Sequence, residues 1–156
     1  MTNKKQTKIK KVLDEYSKIV DYFIVKYESE IPLKSKFDLC LASYIRECQE
    51  ETNTWLSARL IKNAFCEGYG MVQSAKSKSK YVRPKHCGKK AILSSTINTQ
   101  SEETSTKIFD FNVTLGSIGN KQKISIPLKK HKQFNKWNEK GKRSNSLVLT
   151  DKYIMF

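Results

Sequence analysis

The sequence lacks long apolar runs, a secretory signal and an excess of acidic residues. No run approaches the ~18 apolar residues that a membrane-spanning helix needs. The basic N-terminus is not followed by an apolar segment and a small-residue cleavage site, so no secretory signal is expected. We therefore expect a cytoplasmic protein without a membrane partner, whose 4 cysteines are reduced thiols.

The cysteines also lack the spacing of a zinc finger or zinc ribbon. One alternative stays open, a mixed metal site built from His86, Cys87 and a second cysteine. The remaining three, Cys40, Cys48 and Cys66, lie on predicted helix faces, and we expect them to be small core residues. The sequence therefore predicts no metal in this chain.

No recognisable catalytic pattern is present either. Most acidic residues lie in the helical half, at the spacing of solvated helix faces. Asp110 is the only acid in a predicted strand, and its place in the alternation predicts that it faces solvent. No glycine-rich phosphate loop is found. We expect no catalytic residue and no cofactor in this chain. An enzyme with an unrecognised site remains an alternative function, ranked after the two binding functions given below.

Positive charge is abundant and clustered. Lysine and arginine number 30 against 15 acids, which gives a net charge of +15. The cations concentrate at residues 4–11, 76–90 and 121–143, where Glu139 is the only acid in any of the three clusters. Such clusters are typical of proteins that bind a polyanion, because they neutralise phosphates and release counterions. We expect nucleic acid as the partner; a solvated basic surface, a ribosomal protein or a membrane-surface protein are the alternatives.

The first half of the chain predicts three helices. Residues 1–8 are expected to form a flexible arm, and apolar residues at spacings of three and four predict a first helix over residues 9–31. The second helix is predicted over residues 36–50. A third helix, capped by Thr52 or Asn53, is predicted to extend to Val72, with Gly68 and Gly70 weakening or bending it.

The second half predicts strands. Residues 109–115 and 124–128 alternate as two strands of a hairpin, and Gly116, Gly119 and Asn120 between them can supply positive φ angles. A first strand is predicted over residues 91–97, a polar loop over 98–106, and two closing strands over 146–150 and 152–156. Residues 128–142 predict a short basic helix, anchored by Phe134 and Trp137.

These elements predict an α+β fold in three parts. A three-helix unit (1–77) is followed by a basic linker (78–90) and by a small antiparallel, β-barrel-like domain (91–156). Two groups of residues are expected to contact nucleic acid, with cations on phosphates and aromatic side chains on bases. The linker group is Lys78, Lys80, Tyr81, Arg83 and Lys85. The β group is Lys129, Lys130, His131, Lys132, Lys136, Trp137 and Arg143. Packing on the barrel is the alternative for Tyr81, and core anchoring is favoured for Trp137.

The segments FDFNVTL, SIG and KISIPLKKHKQFNKW in residues 109–137 resemble the oligonucleotide-binding-like wedge domain of the TnpB family. Those proteins are transposon-encoded, RNA-guided nucleases related to type V CRISPR effectors. The match lies on a family run of the form I-x-I-P-L-K-x-H, at Ile124, Ile126, Pro127, Leu128, Lys129 and His131. The chain departs from the family pattern at its start, where too few residues precede the first helix to form the usual leading strand.

The resemblance implies the recognition and wedge half of such an effector, without its RuvC-like nuclease domain. In that family the helical part contacts guide–target duplex, and the wedge grips the guide RNA. The expected function is therefore that of a non-catalytic RNA- and DNA-binding subunit. Its partners would be guide RNA, target DNA and a separately encoded RuvC-like nuclease subunit, with Mg²⁺ in that subunit only. The alternative is a stand-alone regulator or inhibitor derived from such a nuclease.

Overall fold

The computed structural model describes residues 3–29, 37–93, 98–100, 111–115, 118–128, 147–150 and 154–155. Over these residues the chain forms three helices and then six short strands. The helices are α1 (Asn3–Ser29), α2 (Phe37–Thr52) and α3 (Ala58–Lys76). The strands are β1 (Lys90–Leu93), β2 (Asn98–Gln100), β3 (Phe111–Leu115), β4 (Ile124–Leu128), β5 (Leu147–Thr150) and β6 (Ile154–Met155). The predicted α+β class, with helices before antiparallel strands, is confirmed.

Helix α1 begins earlier than its apolar pattern predicts. It starts at Asn3, so the expected flexible arm is helical wherever the structure describes it. Lysine is a good helix former, and the lysines of this segment extend the helix without needing a buried face. From Ile9 to Tyr27 the predicted apolar face is buried, which confirms the periodicity. Within the described residues, no helix combines the length and the apolarity needed to cross a membrane.

The connection between α2 and α3 corrects the predicted helix start. Thr52 is the last residue of α2, and Asn53 takes a left-handed φ of 49°, which ends the helix. Helix α3 instead starts after Ser57, whose side chain accepts a hydrogen bond from the Leu60 N–H at 3.4 Å. Trp55 therefore lies in the connection, half-buried against the core.

Helices α1 and α3 pack closely because α3 carries a glycine at their contact. An ideal Cβ at Gly68 would lie 3.0 Å from the Phe23 Cβ and 3.3 Å from the Val20 carbonyl oxygen. Nothing lies within 4 Å of a Cβ at Gly70. Helix α3 is continuous through both positions. Gly68 is thus a packing residue, and the sequence-based expectation of a weakened helix misses this role.

The strands form two three-stranded antiparallel sheets, in the orders β1-β5-β6 and β2-β3-β4. Strand β2 corrects the predicted polar loop over 98–106, because Asn98 pairs with Thr114 and Gln100 with Asn112. Backbone hydrogen bonds of an edge strand do not require apolar side chains, so composition hides this strand. Each of the five predicted strands overlaps an observed strand, and β4 has the predicted bounds.

The predicted hairpin is formed by β3 and β4, which pair antiparallel. Leu115 pairs with Ile124, and the pairing extends to Phe111 with Leu128. In the turn, Gly119 has a φ of 147°, and Asn120 and Lys121 have φ values of 46° and 55°. Gly119 and Asn120 are predicted positions of positive φ, whereas Lys121 is not. The third predicted position, Gly116, lies outside the described residues.

The turn of this hairpin docks on the connection between α2 and α3. The Ser57 N–H donates to the Ile118 carbonyl at 2.8 Å. An ideal Cβ at Gly119 would lie only 1.9 Å from the Trp55 carbonyl oxygen. Only glycine fits there, both for space and for its backbone angle.

One buried cluster contains apolar residues from α1, α3, both sheets and the hairpin turn. Ala91 of β1, Leu115 of β3, Ile124 of β4 and Leu149 of β5 all belong to it. The division into a helical unit (1–77), a linker (78–90) and a β domain (91–156) remains a prediction. Residues of the helical unit and of the β domain both contribute to this core. Of the basic helix predicted over 128–142, the structure describes only Leu128, which ends β4; the rest lies outside the described residues.

Cysteine burial matches the prediction at one position. Cys48 is fully buried in the core. Cys66 is exposed, which makes its assignment to the core wrong, because the buried side of α3 runs through Leu60, Ala64 and Phe65 instead. The side chain of Cys40 lies outside the described part of the structure.

Candidate nucleic-acid interface

The predicted linker lies along α1 and is bound to it by hydrogen bonds. Residues 77–89, called the strap from here on, connect α3 to β1. The Tyr81 hydroxyl donates to Glu28 near the end of α1, and the His86 N–H donates to Asp21 at 2.9 Å, earlier in that helix. As its residue numbers rise, the strap thus runs back toward the start of α1. These two hydrogen bonds hold the strap to α1, unlike a free linker.

Two of the five linker residues predicted to bind nucleic acid share one carboxylate. Arg83 forms an ion pair with Glu28, and Tyr81 donates its hydroxyl to the same side chain. The hydrogen bond from Arg83, followed by that from Tyr81, holds the pKa of Glu28 below its usual range. The same contact raises the pKa of Arg83. Glu28 therefore offsets the charge of Arg83, while Tyr81 as a whole is 41% exposed.

The other three linker residues form an open cationic edge. Lys78, Lys80 and Lys85 are all exposed. None of the ion pairs between described residues involves them. Their contact with phosphates stays a prediction.

The first and second cationic clusters adjoin on the surface. Lys10 of α1 and Lys89 of the strap line one cleft, together with Asp14. Lys4, Lys8 and Lys11 are exposed on the same helix. Asp14 is the only acid that lines this cleft among the described residues. Two clusters far apart in sequence thus adjoin at this cleft, where the end of the strap meets the first half of α1.

The β group of predicted contacts lies outside the described residues. It comprises Lys129, Lys130, His131, Lys132, Lys136, Trp137 and Arg143. Of the third cationic cluster, the structure describes Lys121 and Lys123, which are exposed in the hairpin turn and just before β4.

Beneath the strap lies a buried polar cluster centred on Glu67 of α3. The Glu67 side chain is 6% exposed, and its Oε2 accepts a hydrogen bond from the Tyr16 hydroxyl at 2.9 Å. The Lys90 Nζ lies 2.9 Å from Glu67 Oε1 as an ion pair, and the His86 Nε2 lies 3.6 Å from the same oxygen. The cluster therefore joins α1, α3, the strap and β1 around one carboxylate.

The pKa values show which protonation state the cluster favours. Burial alone would raise the pKa of Glu67, but its contacts with His86, Lys90 and Tyr16 outweigh burial and lower it to about 2. Burial, followed by the charge of Glu67, raises the pKa of Tyr16. Lys90 also has a raised pKa because of its contact with Glu67. At neutral pH the cluster is a carboxylate held by a lysine and a neutral tyrosine.

The surroundings of His86 determine which nitrogen of its neutral ring carries the proton. Its side chain is 1% exposed, and its ring lies edge-on to Tyr16 with centroids 5.8 Å apart. The Gly88 N–H donates to His86 Nδ1 at 3.3 Å, so in the neutral ring the proton is on Nε2 and faces Glu67.

The cluster positions the strap rather than offering a reaction centre. A catalytic acid or base must reach the proton that it transfers, and both His86 and Glu67 are enclosed. Cys87 is exposed while the neighbouring His86 is buried, so the two side chains do not share one metal site. Across the described ranges, no three His, Cys, Asp or Glu side chains are grouped as metal ligands.

The sequence analysis does not identify Glu67 as the centre of a buried polar cluster. A signal is present, since Glu67 lies three residues after Ala64 and one before Gly68, next to the buried side of α3. A carboxylate at such a position needs partners, and these come from residues 16, 86 and 90, which no local pattern connects to it.

The chain matches no protein-family model, no curated protein and no solved structure.

Proposed function

We propose that this protein is a non-catalytic nucleic-acid-binding protein that binds RNA, and DNA paired with or next to it. The observation that carries the proposal is that two sequence-distant cationic clusters adjoin at Lys10 and Lys89, where the strap meets α1. Exposed lysines on a rigid base neutralise phosphates without the ordering cost of a flexible tail.

The more specific proposal is the recognition and wedge half of a split TnpB-like effector. Three helices followed by two three-stranded antiparallel sheets are compatible with a helical unit and a small oligonucleotide-binding-like barrel. The sequence resemblance at residues 109–137 supports the same assignment. In this proposal guide RNA and target DNA are the ligands, and a separately encoded RuvC-like subunit cuts. A neighbouring reading frame that begins with a nuclease strand bearing a catalytic aspartate would support it, and its absence would favour the stand-alone regulator.

A salt titration of RNA binding tests the basic proposal. We expect the affinity for a structured RNA hairpin to fall steeply with salt, by a slope of roughly 0.7–0.9 for each phosphate contacted. Replacing Lys78, Lys80 and Lys85 together by alanine should therefore reduce that slope by about 2.

A control of equal charge is available in Lys18, Arg46 and Lys62, which are exposed and lie outside the three clusters. Their combined replacement by alanine should leave the slope unchanged. A salt dependence that falls equally in both triple variants would show that only net charge matters. Absence of binding to any RNA or DNA at low salt would refute the proposed function.

A further inference from the structure

One carboxylate at the end of α1 binds two groups of the strap. Glu28 Oε1 accepts the hydrogen bond from the Tyr81 hydroxyl, and Glu28 Oε2 forms the ion pair with Arg83. The Glu28 side chain is 18% exposed, whereas that of Arg83 is 63% exposed. The carboxylate is thus largely covered, while the cation that it binds faces solvent.

The position of Glu28 does not serve the stability of α1. The helix ends at Ser29, so the carboxylate lies in the last turn, where the helix dipole favours cations. Lys76 supplies such a cation, since its Nζ lies 3.5 Å from the carbonyl oxygens of Tyr27 and Glu28. A negative charge in this turn is unfavourable to the helix. The contacts that favour the carboxylate here are therefore those with the strap.

Arg83 differs from the lysines on either side of it in the strap. Lys80 and Lys85 are exposed, and neither takes part in an ion pair between described residues. A polyanion bound by these two lysines would place its phosphates beside Arg83 at a high effective concentration. A guanidinium binds phosphate as it binds carboxylate, through two parallel N–H donors. A phosphate can therefore compete with Glu28 for Arg83.

We propose that Glu28 is an internal competitor of the nucleic acid, and that Arg83 moves from Glu28 to a phosphate when the strand binds. This inference rests on the proposed function and adds a built-in control of its affinity. Breaking an exposed ion pair costs little, so the competition lowers the affinity by roughly 2- to 5-fold and does not prevent binding.

The first test replaces the competing charge. In Glu28→Gln the side-chain amide oxygen can still accept the Tyr81 hydrogen bond. Fluorescence anisotropy with a labelled RNA hairpin compares its affinity with that of the wild type. We expect binding roughly 2- to 5-fold tighter, with an unchanged salt slope, because the same phosphates are contacted.

Glu47→Gln is the matched control. Glu47 also forms an ion pair, with Lys26, and its replacement brings the same change in net charge. The Lys26 side chain is only 16% exposed and lies outside the three cationic clusters, so it gains no access to a phosphate. The control should therefore bind RNA as the wild type does.

The second test asks whether the guanidinium reaches the ligand. Arg83→Ala should lower the salt slope by roughly 0.7–0.9, the value of one phosphate contact. In this background Glu28→Gln should gain no more affinity than Glu47→Gln does, because no cation is left to release. Asp21 and Glu67 still hold the strap through His86 and Lys90, so circular dichroism should show that every variant keeps its fold.

Three results would overturn the exchange and leave the proposed function standing. They are a Glu28→Gln variant that binds no more tightly than Glu47→Gln, an unchanged salt slope in Arg83→Ala, and a gain from Glu28→Gln that persists without Arg83. Absence of binding to any RNA or DNA by the wild type at low salt would remove both the exchange and the proposed function.

Discussion

Of the alanine substitutions at Gly68 and Gly70, only that at Gly70 should stabilise the protein. The two glycines are two residues apart in α3, so each substitution brings the same gain in helix propensity, about 1 kcal/mol. Part of that gain arises because alanine restricts the unfolded chain more than glycine does, and this effect is the same at both positions. Any difference between the variants must then come from the folded surroundings.

The surroundings differ sharply. At Gly70 a Cβ meets no atom within 4 Å, so the full gain remains and the free energy of unfolding should rise by about 1 kcal/mol. At Gly68 it lies 3.0 Å from the Phe23 Cβ and 3.3 Å from the Val20 carbonyl oxygen. Phe23 and Val20 are fully buried, and overpacking a core costs about 1–3 kcal/mol. Gly68→Ala should therefore be neutral to about 2 kcal/mol destabilising.

Denaturant unfolding followed by circular dichroism measures both variants against the wild type. The expected gap between them, about 1–3 kcal/mol, is the overpacking cost alone. A domain of this size should show the gap as a difference of roughly 2–10 °C in melting temperature. If Gly68→Ala stabilises the protein as much as Gly70→Ala does, the close packing of α1 on α3 at this point is refuted.

Three further predictions concern the turn, the buried carboxylate and activity. Gly119→Ala places a Cβ 1.9 Å from the Trp55 carbonyl oxygen at a φ of 147°, so we expect a loss of at least about 3 kcal/mol in denaturant unfolding; a fully stable variant would contradict the docking of the turn. Because the folded pKa of Glu67 is about 2 against 4.5, its stabilisation is complete above pH 4.5 and lost as the pH falls toward 2. The wild type should lose roughly 3 kcal/mol more than Glu67→Gln over that range, and identical acid unfolding profiles would argue against the cluster. The purified chain alone should not cleave nucleic acid with Mg²⁺ or Mn²⁺; cleavage abolished by one Asp→Ala or Glu→Ala change would overturn the non-catalytic assignment.

The helical faces and most strands could be predicted from the sequence because their signals are local. The periodicity from Ile9 to Tyr27 predicts the buried face of α1, and the alternation before and after Gly119 predicts the hairpin. Both depend on residues within a few positions of each other. The predicted start of α3 is wrong because Thr52 and Asn53 are plausible caps by residue type. The left-handed turn at Asn53 ends α2, and Ser57 caps α3 instead.

The path of the strap could not be predicted, since it depends on contacts between distant residues. Arg83 meets a carboxylate 55 positions earlier in the chain, and the partners of His86 come from two different helices. Sequence composition reports the abundance of lysine in this segment correctly. It does not report that one of the cations is neutralised by Glu28, or that the segment covers a buried glutamate.

The pairing of β1 with β5 has a consequence for synthesis of the chain. Strand β1 ends at Leu93 and its partner begins at Leu147. At about 5–20 residues per second, a ribosome needs roughly 3–10 s to make the intervening segment. During that time one edge of β1 has no partner strand, whereas on its other edge Asn63 of α3 already has the Ile92 carbonyl to bind. The helices can thus hold β1 in place as a nascent template, and the last-made strands complete the sheet on it.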